Sequence, residues 1–224
     1  MSPASLRAPV QLRAQRTRAA LLEAAEREFA ERGYAQATAR SIAERAGAAT
    51  GSFYQYFADK DAALRELAQT RFAELAARVD ALAISPIAGD QAAVEARARE
   101  SVHAIVAAVL AYHRCDRGLH AVLAQRRLAD PELDAITDAA ERRFVQDVEL
   151  RLAHWGCGGD RKAQAFMIFG LIEGAIHSHV LGTRMISDRR FVDALTESVL
   201  ALVRAGIARP ALDPAVPDST GEIA

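Results

Sequence analysis

The sequence has almost no β-branched runs, few aromatics and no long apolar stretch. Aromatic residues make up 6% of the 224 residues. Strands are built on branched and aromatic side chains, so this scarcity argues against a sheet protein. Only two cysteines occur, Cys115 and Cys157, with no CxxC spacing. They read as free thiols, not as a disulfide framework or a zinc site. The N-terminal MSPASLRAPVQLRAQRTR has no apolar h-region, so no signal peptide is expected. The longest uncharged run, Ser101 to His113, is too short to cross a bilayer. No membrane partner is expected, and the expected location is cytoplasmic.

Ala, Leu, Glu and Arg dominate instead, a composition of strong helix formers that predicts an all-α fold. The net charge of −1 hides an asymmetry: residues 1–60 carry nine Lys/Arg against six Asp/Glu, and the remainder carries 19 against 23. A basic first portion on a slightly acidic body suggests an anionic partner for that portion alone.

Residues 1–14, with two prolines and no apolar period, read as a flexible basic arm. Leu21, Leu22, Ala25 and Phe29 then form one helical stripe, which Gly33 ends. Thr38 is a fair N-cap for a short helix over Ala39–Ala46, stopped by Gly47. A third short helix runs from about Thr50 to Phe57. Asp59 caps a longer one that Ser85-Pro86 breaks. Further helices are expected from about Gln91 to His113 and from about Arg117 to Leu128. Another starts at Asp130-Pro131-Glu132 and runs to about Trp155. The last two cover Arg161 to Leu181, capped by Asp160, and a stretch opened by Ser187 or Asp188. The prolines after Arg209 predict a disordered tail over 209–224.

The stretch AGAATGSFYQYFADK gathers four aromatics where the chain is otherwise poor in them. Two short helices joined by a tight glycine turn are the plan of a helix-turn-helix. The second helix of such a motif must bring a small, polar end to the major groove, and Thr50, Gly51 and Ser52 meet that need. Phe53 and Phe57 share one face and point inward. Tyr54 and Tyr56 lie off it, where their hydroxyls can donate to phosphate oxygens. Lys60 can neutralise a flanking phosphate, and Arg40 can reach a phosphate or a guanine edge. The competing interpretation is a plain helical hairpin whose aromatics are all core.

AGAATGSFYQYFADKDAAL, with RTRAALLEAAEREFAERGYAQATARSIAERAG before it, resembles the signature of the TetR (tetracycline-repressor-type) regulators over roughly Gln15 to Leu75. Ala48 departs from the pattern, since a larger aliphatic is common there. Ala49 departs too, where Ser or Thr often caps the recognition helix. The resemblance implies DNA contacts from Thr38, Arg40, Thr50, Gly51, Ser52, Tyr54, Tyr56 and Lys60. It implies a helix-turn-helix domain over 15–60, with the motif at about 38–57, and a helical effector-binding and dimerisation domain over 61–208. It implies a non-enzymatic repressor that binds a palindromic double-stranded DNA operator as a homodimer and is released by a small-molecule effector. No cofactor is implied.

In the second portion, AFMIFGLIEGAIHSHVLG is apolar nearly all round, as for a helix buried on several sides. Gly170, Gly174, His177 and Leu181 share a face where a partner helix can approach. Phe191, Leu195, Val199 and Leu202 form a stripe on the last helix. The resemblance implies that the last two helices form the dimer interface; ordinary intrachain packing is the alternative. An effector pocket is expected among the middle helices, with His103, Tyr112, His120, Phe144, Phe169 and Glu173 as candidates. Two other functions stand beside the first: a DNA-binding regulator without a small-molecule effector, and a helical metal-binding protein using Glu173 and His177. His179 points about 160° from His177 on an ideal helix and cannot join that pair.

Overall fold

The computed structural model describes residues 4–82 and 91–207, with side chains described from residue 12 and from residue 92 onward. The Ser85-Pro86 break and the tail after Arg209 lie outside the described residues. Among these residues there are nine α-helices and no strand: α1 Ala4–Gln36, α2 Ala39–Arg45, α3 Thr50–Tyr56, α4 Lys60–Ala81, α5 Gln91–Cys115, α6 Arg117–Arg127, α7 Pro131–His154, α8 Arg161–Leu181 and α9 Asp188–Ile207. Most boundaries fall within a residue or two of those read from the sequence, because local chemistry sets them. Thr38 and Ser41 form a capping box at α2, each side chain accepting from the other's backbone N–H at 3.0 Å. Asp59, Asp116 and Asp160 accept from N–H groups in the first turns of α4, α6 and α8.

The clearest departure is α1. It begins at Ala4, so the segment read as an arm is helical over residues 4–14. Periodicity could not find that part, because no side chain from residue 12 to residue 20 is buried. Gly33, at φ 74°, breaks the helix before its final residues.

The chain divides into two compact units. One holds residues up to Arg78 together with Val109–Glu141, and the other holds Val79–Ala108 together with residues from Arg142 onward. This differs from the expected division at residue 60, since α4, α5 and α7 each contribute to both units. In the first unit α6 packs on α1. Gly118 makes the approach possible, because a Cβ there would collide with the carbonyl oxygen of Ala30. The core joins Leu21, Ala25 and Phe29 of α1 to Ile42, Phe53, Phe57 and Leu64, and is completed by Leu119, Val122 and Leu133. Each of the leucine, isoleucine, valine and phenylalanine side chains contributes about 1.5–3 kcal/mol by burial.

In the second unit α8 packs along α9, and segments of α5 and α7 complete the core. Phe191, Leu195 and Val199 are buried within this core and Leu202 is half-buried. The α9 stripe assigned to the dimer is therefore spent inside the chain. α8 also departs from expectation. It buries Ala165, Ile168, Ile176 and Val180 on one side, yet Phe166 and Met167 are about 60% exposed (63% and 60%).

Candidate nucleic-acid interface

The first unit presents α3 on a turn made by Gly47. Its φ of +67° is the left-handed conformation that glycine adopts without Cβ strain. The N–H of Gly47 donates to the carbonyl of Glu44 at 3.1 Å, and that of Ala48 donates to the carbonyl of Ala43 at 2.9 Å. Together these are the two bonds of a Schellman motif. Ala49, the N-cap of α3, makes no side-chain cap bond, and Thr50 is the first helical residue.

Phe53 and Phe57 are buried, with ring centroids 5.4 Å apart. The opposite face carries Gly51, Tyr54 and Gln55, all exposed; a Cβ at Gly51 would meet nothing. Thr50, Ser52 and Tyr56 are half-buried, and the Tyr56 ring packs against the core. The helix thus turns a small, polar surface outward. Gln55 was not among the expected contacts, although its phase opposite Phe53 and Phe57 was legible in the sequence.

The surrounding charges hold this helix in place. Arg45 donates to Glu28 at 2.7 Å and to Glu31 at 2.6 Å, tying α2 to α1. Burial pushes the Glu28 carboxyl up, but hydrogen bonds from Ser41 and Arg45 and the nearby arginine charges hold it below the usual range. Lys60 is placed differently from expectation. Its ammonium donates to the carbonyls of Tyr34 at 2.8 Å and Ala37 at 3.0 Å, and lies 4.0 Å from the Tyr34 ring centroid. Burial lowers its pKa. Tyr34 in turn donates to Asp61 at 2.6 Å, and Arg126 covers its ring at 4.0 Å. Lys60 is therefore first a clasp between α4 and the end of α1. Arg40 pairs with Glu44 at 2.7 Å on the open surface, and Thr38 is engaged as a cap.

The second unit holds a partly open cavity of about 30 Å³ among Val102, Ile105, Val148, Leu152, Trp155 and Ile168, with Arg151 also in its wall. That is room for one or two water molecules. The Arg151 guanidinium donates to the carbonyls of Leu82 at 3.1 Å and Val79 at 3.0 Å. None of the expected pocket residues lines this cavity. His103 lies on the surface, 3.9 Å from Asp193. Tyr112 and His120 belong to the first unit, where Arg71 stacks on Tyr112 and His120 packs edge-on against His113. Phe144 and Phe169 are half-buried elsewhere. Glu173 faces His177 at 3.4 Å, a pairing along one helix. His179 turns away, stacked on Phe191 and 3.0 Å from Asp188.

On α8, Gly170 and Gly174 are exposed, with open space where a Cβ would stand; His177 and Leu181 are half-buried. Ala194, Ser198, Ala201 and Ala205 are exposed on α9 at helical spacing, a stripe of small residues that the apolar pattern had obscured.

Residues 21–67 match the bacterial regulatory proteins of the tetR family. No curated protein matches the sequence. Among solved structures, the chain resembles a transcriptional regulator from Rhodococcus sp. Rha1, at 19% identity and TM-score 0.69, over 88% of this chain and 99% of that one. It also resembles the fatty acid degradation regulator FadR from Bacillus halodurans, at 22% identity and TM-score 0.64, over 86% and 97%. A bacterial regulatory protein in the tetR family from Rhodococcus RHA1 aligns at 20% identity and TM-score 0.64, over 88% and 98%. At these identities the likeness speaks to the fold. Residues 21–67, the segment that carries α3, match the N-terminal model of the tetR-family regulatory proteins, on a chain whose fold is shared with transcriptional regulators.

Proposed function

We propose that the protein is a homodimeric repressor whose two α3 helices enter successive major grooves of a near-palindromic operator. The outward face of Gly51, Tyr54 and Gln55, backed by the buried Phe53 and Phe57, carries this interpretation. Gly51 lets the backbone approach the groove. Gln55 and Ser52 offer donors and acceptors to base edges, and Tyr54 offers a hydroxyl to phosphate. Thr50 and Tyr56 flank them, with Thr38 and Arg40 at the start of α2.

The dimer is proposed to form through the open face of α8 and the small stripe of α9. Exposed Phe166 and Met167 beside two glycines are an apolar surface suited to a second copy of the same chain. Release by an effector requires a ligand with different affinity for the DNA-bound and free conformations. The cavity in the second unit is its seed, and it must widen to admit one. Its small size favours a second interpretation, in which no small molecule binds and occupancy follows protein abundance or a protein partner.

Selection of duplexes from a random pool by the purified protein tests the DNA-binding proposal. It is expected to enrich a sequence with two-fold symmetry. Ser52→Ala and Gln55→Ala should each shift preference at particular base pairs by about 1–3 kcal/mol. Tyr54→Phe should weaken all sequences alike. Recovery of no enriched sequence would sink the proposal.

A further inference from the structure

Between residues 12 and 60 the chain carries eight cationic side chains, and six of them are already engaged. Arg18 binds Glu66, Arg27 binds Glu23 and Arg32 binds Glu28. Arg40 binds Glu44, Arg45 binds Glu28 and Glu31, and Lys60 binds two carbonyls. The basic excess of this portion is therefore largely cancelled within the fold. Arg13 and Arg16 are exposed, and their guanidinium groups have no partner among the described residues. They lie three apart, so they share one side of α1.

Their position is as informative as their charge. Arg18 binds Glu66 of α4 and lies 5.4 Å from the ring centroid of Phe57, where α3 gives way to α4. Arg13 lies about 7.5 Å further along the axis, at 1.5 Å per residue. The helix thus continues past this edge, and among the side chains described, from residue 12 onward, the first buried one is Leu21. Exposed Tyr54 is one turn before Phe57, near the same edge of the unit. An exposed helical overhang gains nothing from core packing, so its two unneutralised guanidinium groups remain available to an anionic surface.

We propose that Arg13 and Arg16 form a second DNA-binding element, which grips the phosphodiester backbone beside the bases that α3 addresses. This rests on the DNA-binding interpretation above and adds contacts outside the helix-turn-helix. Each phosphate neutralised releases condensed counterions, so the two contacts contribute about two to the slope of log affinity against log salt.

The test is a salt titration of the full-length protein with a labelled duplex of arbitrary sequence, followed by fluorescence anisotropy. Arg13→Ala/Arg16→Ala is expected to lower the slope by about two. Its melting midpoint should be unchanged, since neither side chain is buried. Arg13→Lys/Arg16→Lys is expected to keep the wild-type slope, because phosphate accepts either cation. Arg27→Ala, which removes a cation already paired with Glu23, is expected to leave the slope unchanged. A double alanine variant with the wild-type slope would overturn the inference and leave the α3 proposal standing. A wild-type protein that binds without sequence preference would count against the operator proposal, and the slope would still decide this one.

Discussion

Lys60 stands where a phosphate contact was expected, and the fold uses it first as a clasp. Two carbonyls at the end of α1 accept from its ammonium, and the Tyr34 ring lies beneath it. Tyr34 is pushed up to about 12 by burial and then by its hydrogen bond to Asp61, so it stays a donor at neutral pH. Lys60→Met keeps the stem and removes the charge, leaving two carbonyls without their donor. The expected outcome is a loss of about 1–3 kcal/mol in thermal or denaturant melting. The salt dependence of DNA binding should be unchanged. A slope that falls by about one with stability intact would instead make Lys60 a phosphate ligand. The sequence placed this lysine at the right edge of the motif. Its partners could not be read there, because backbone carbonyls carry no sequence signal.

Helix ends were legible because caps and glycines act within a few residues of themselves. Asp59, Asp160 and Gly47 do in the structure what their positions implied. Helix faces were harder. The apolar stripe of α9 identifies a buried side, but not whether the same chain or a second copy covers it; here the chain itself does so. The side of α9 left open carries Ala194, Ser198, Ala201 and Ala205, the small residues that the proposed dimer would use. On α8 the glycines give a test whose two readouts move in opposite directions. Gly170→Leu/Gly174→Leu meets open space in the single chain and should raise helix stability by up to about 1 kcal/mol per site. If a second copy packs there, analytical ultracentrifugation should show dimer affinity falling at least about tenfold, or 1.4 kcal/mol. Undiminished association would move the interface elsewhere.

At the scale of the whole chain, the all-helical architecture and the α2–turn–α3 geometry were visible in composition and motif, but the division between units was not. The expected boundary at residue 60 assumed that a domain is one continuous stretch. The core of the first unit instead recruits Leu119, Val122 and Leu133 from far along the chain. Gly118 allowed that contact, and no periodicity announces which helix a glycine will admit. A fragment ending at Arg78 would lack all three side chains. It is expected to show no cooperative melt by circular dichroism, and the full chain is expected to show one. A sharp transition in the fragment would mean that α1 to α4 close on their own.

The same arrangement sets a timetable during synthesis. Helix α3 is complete once Tyr56 is made, but its supporting core waits for Leu133. At roughly 5–20 residues per second, that stretch takes on the order of 4–15 s. For most of that interval, until Arg117–Arg127 have been made, the apolar side of α1 has no α6 to cover it. The core behind α3 is therefore complete only after more than half of the chain has been made.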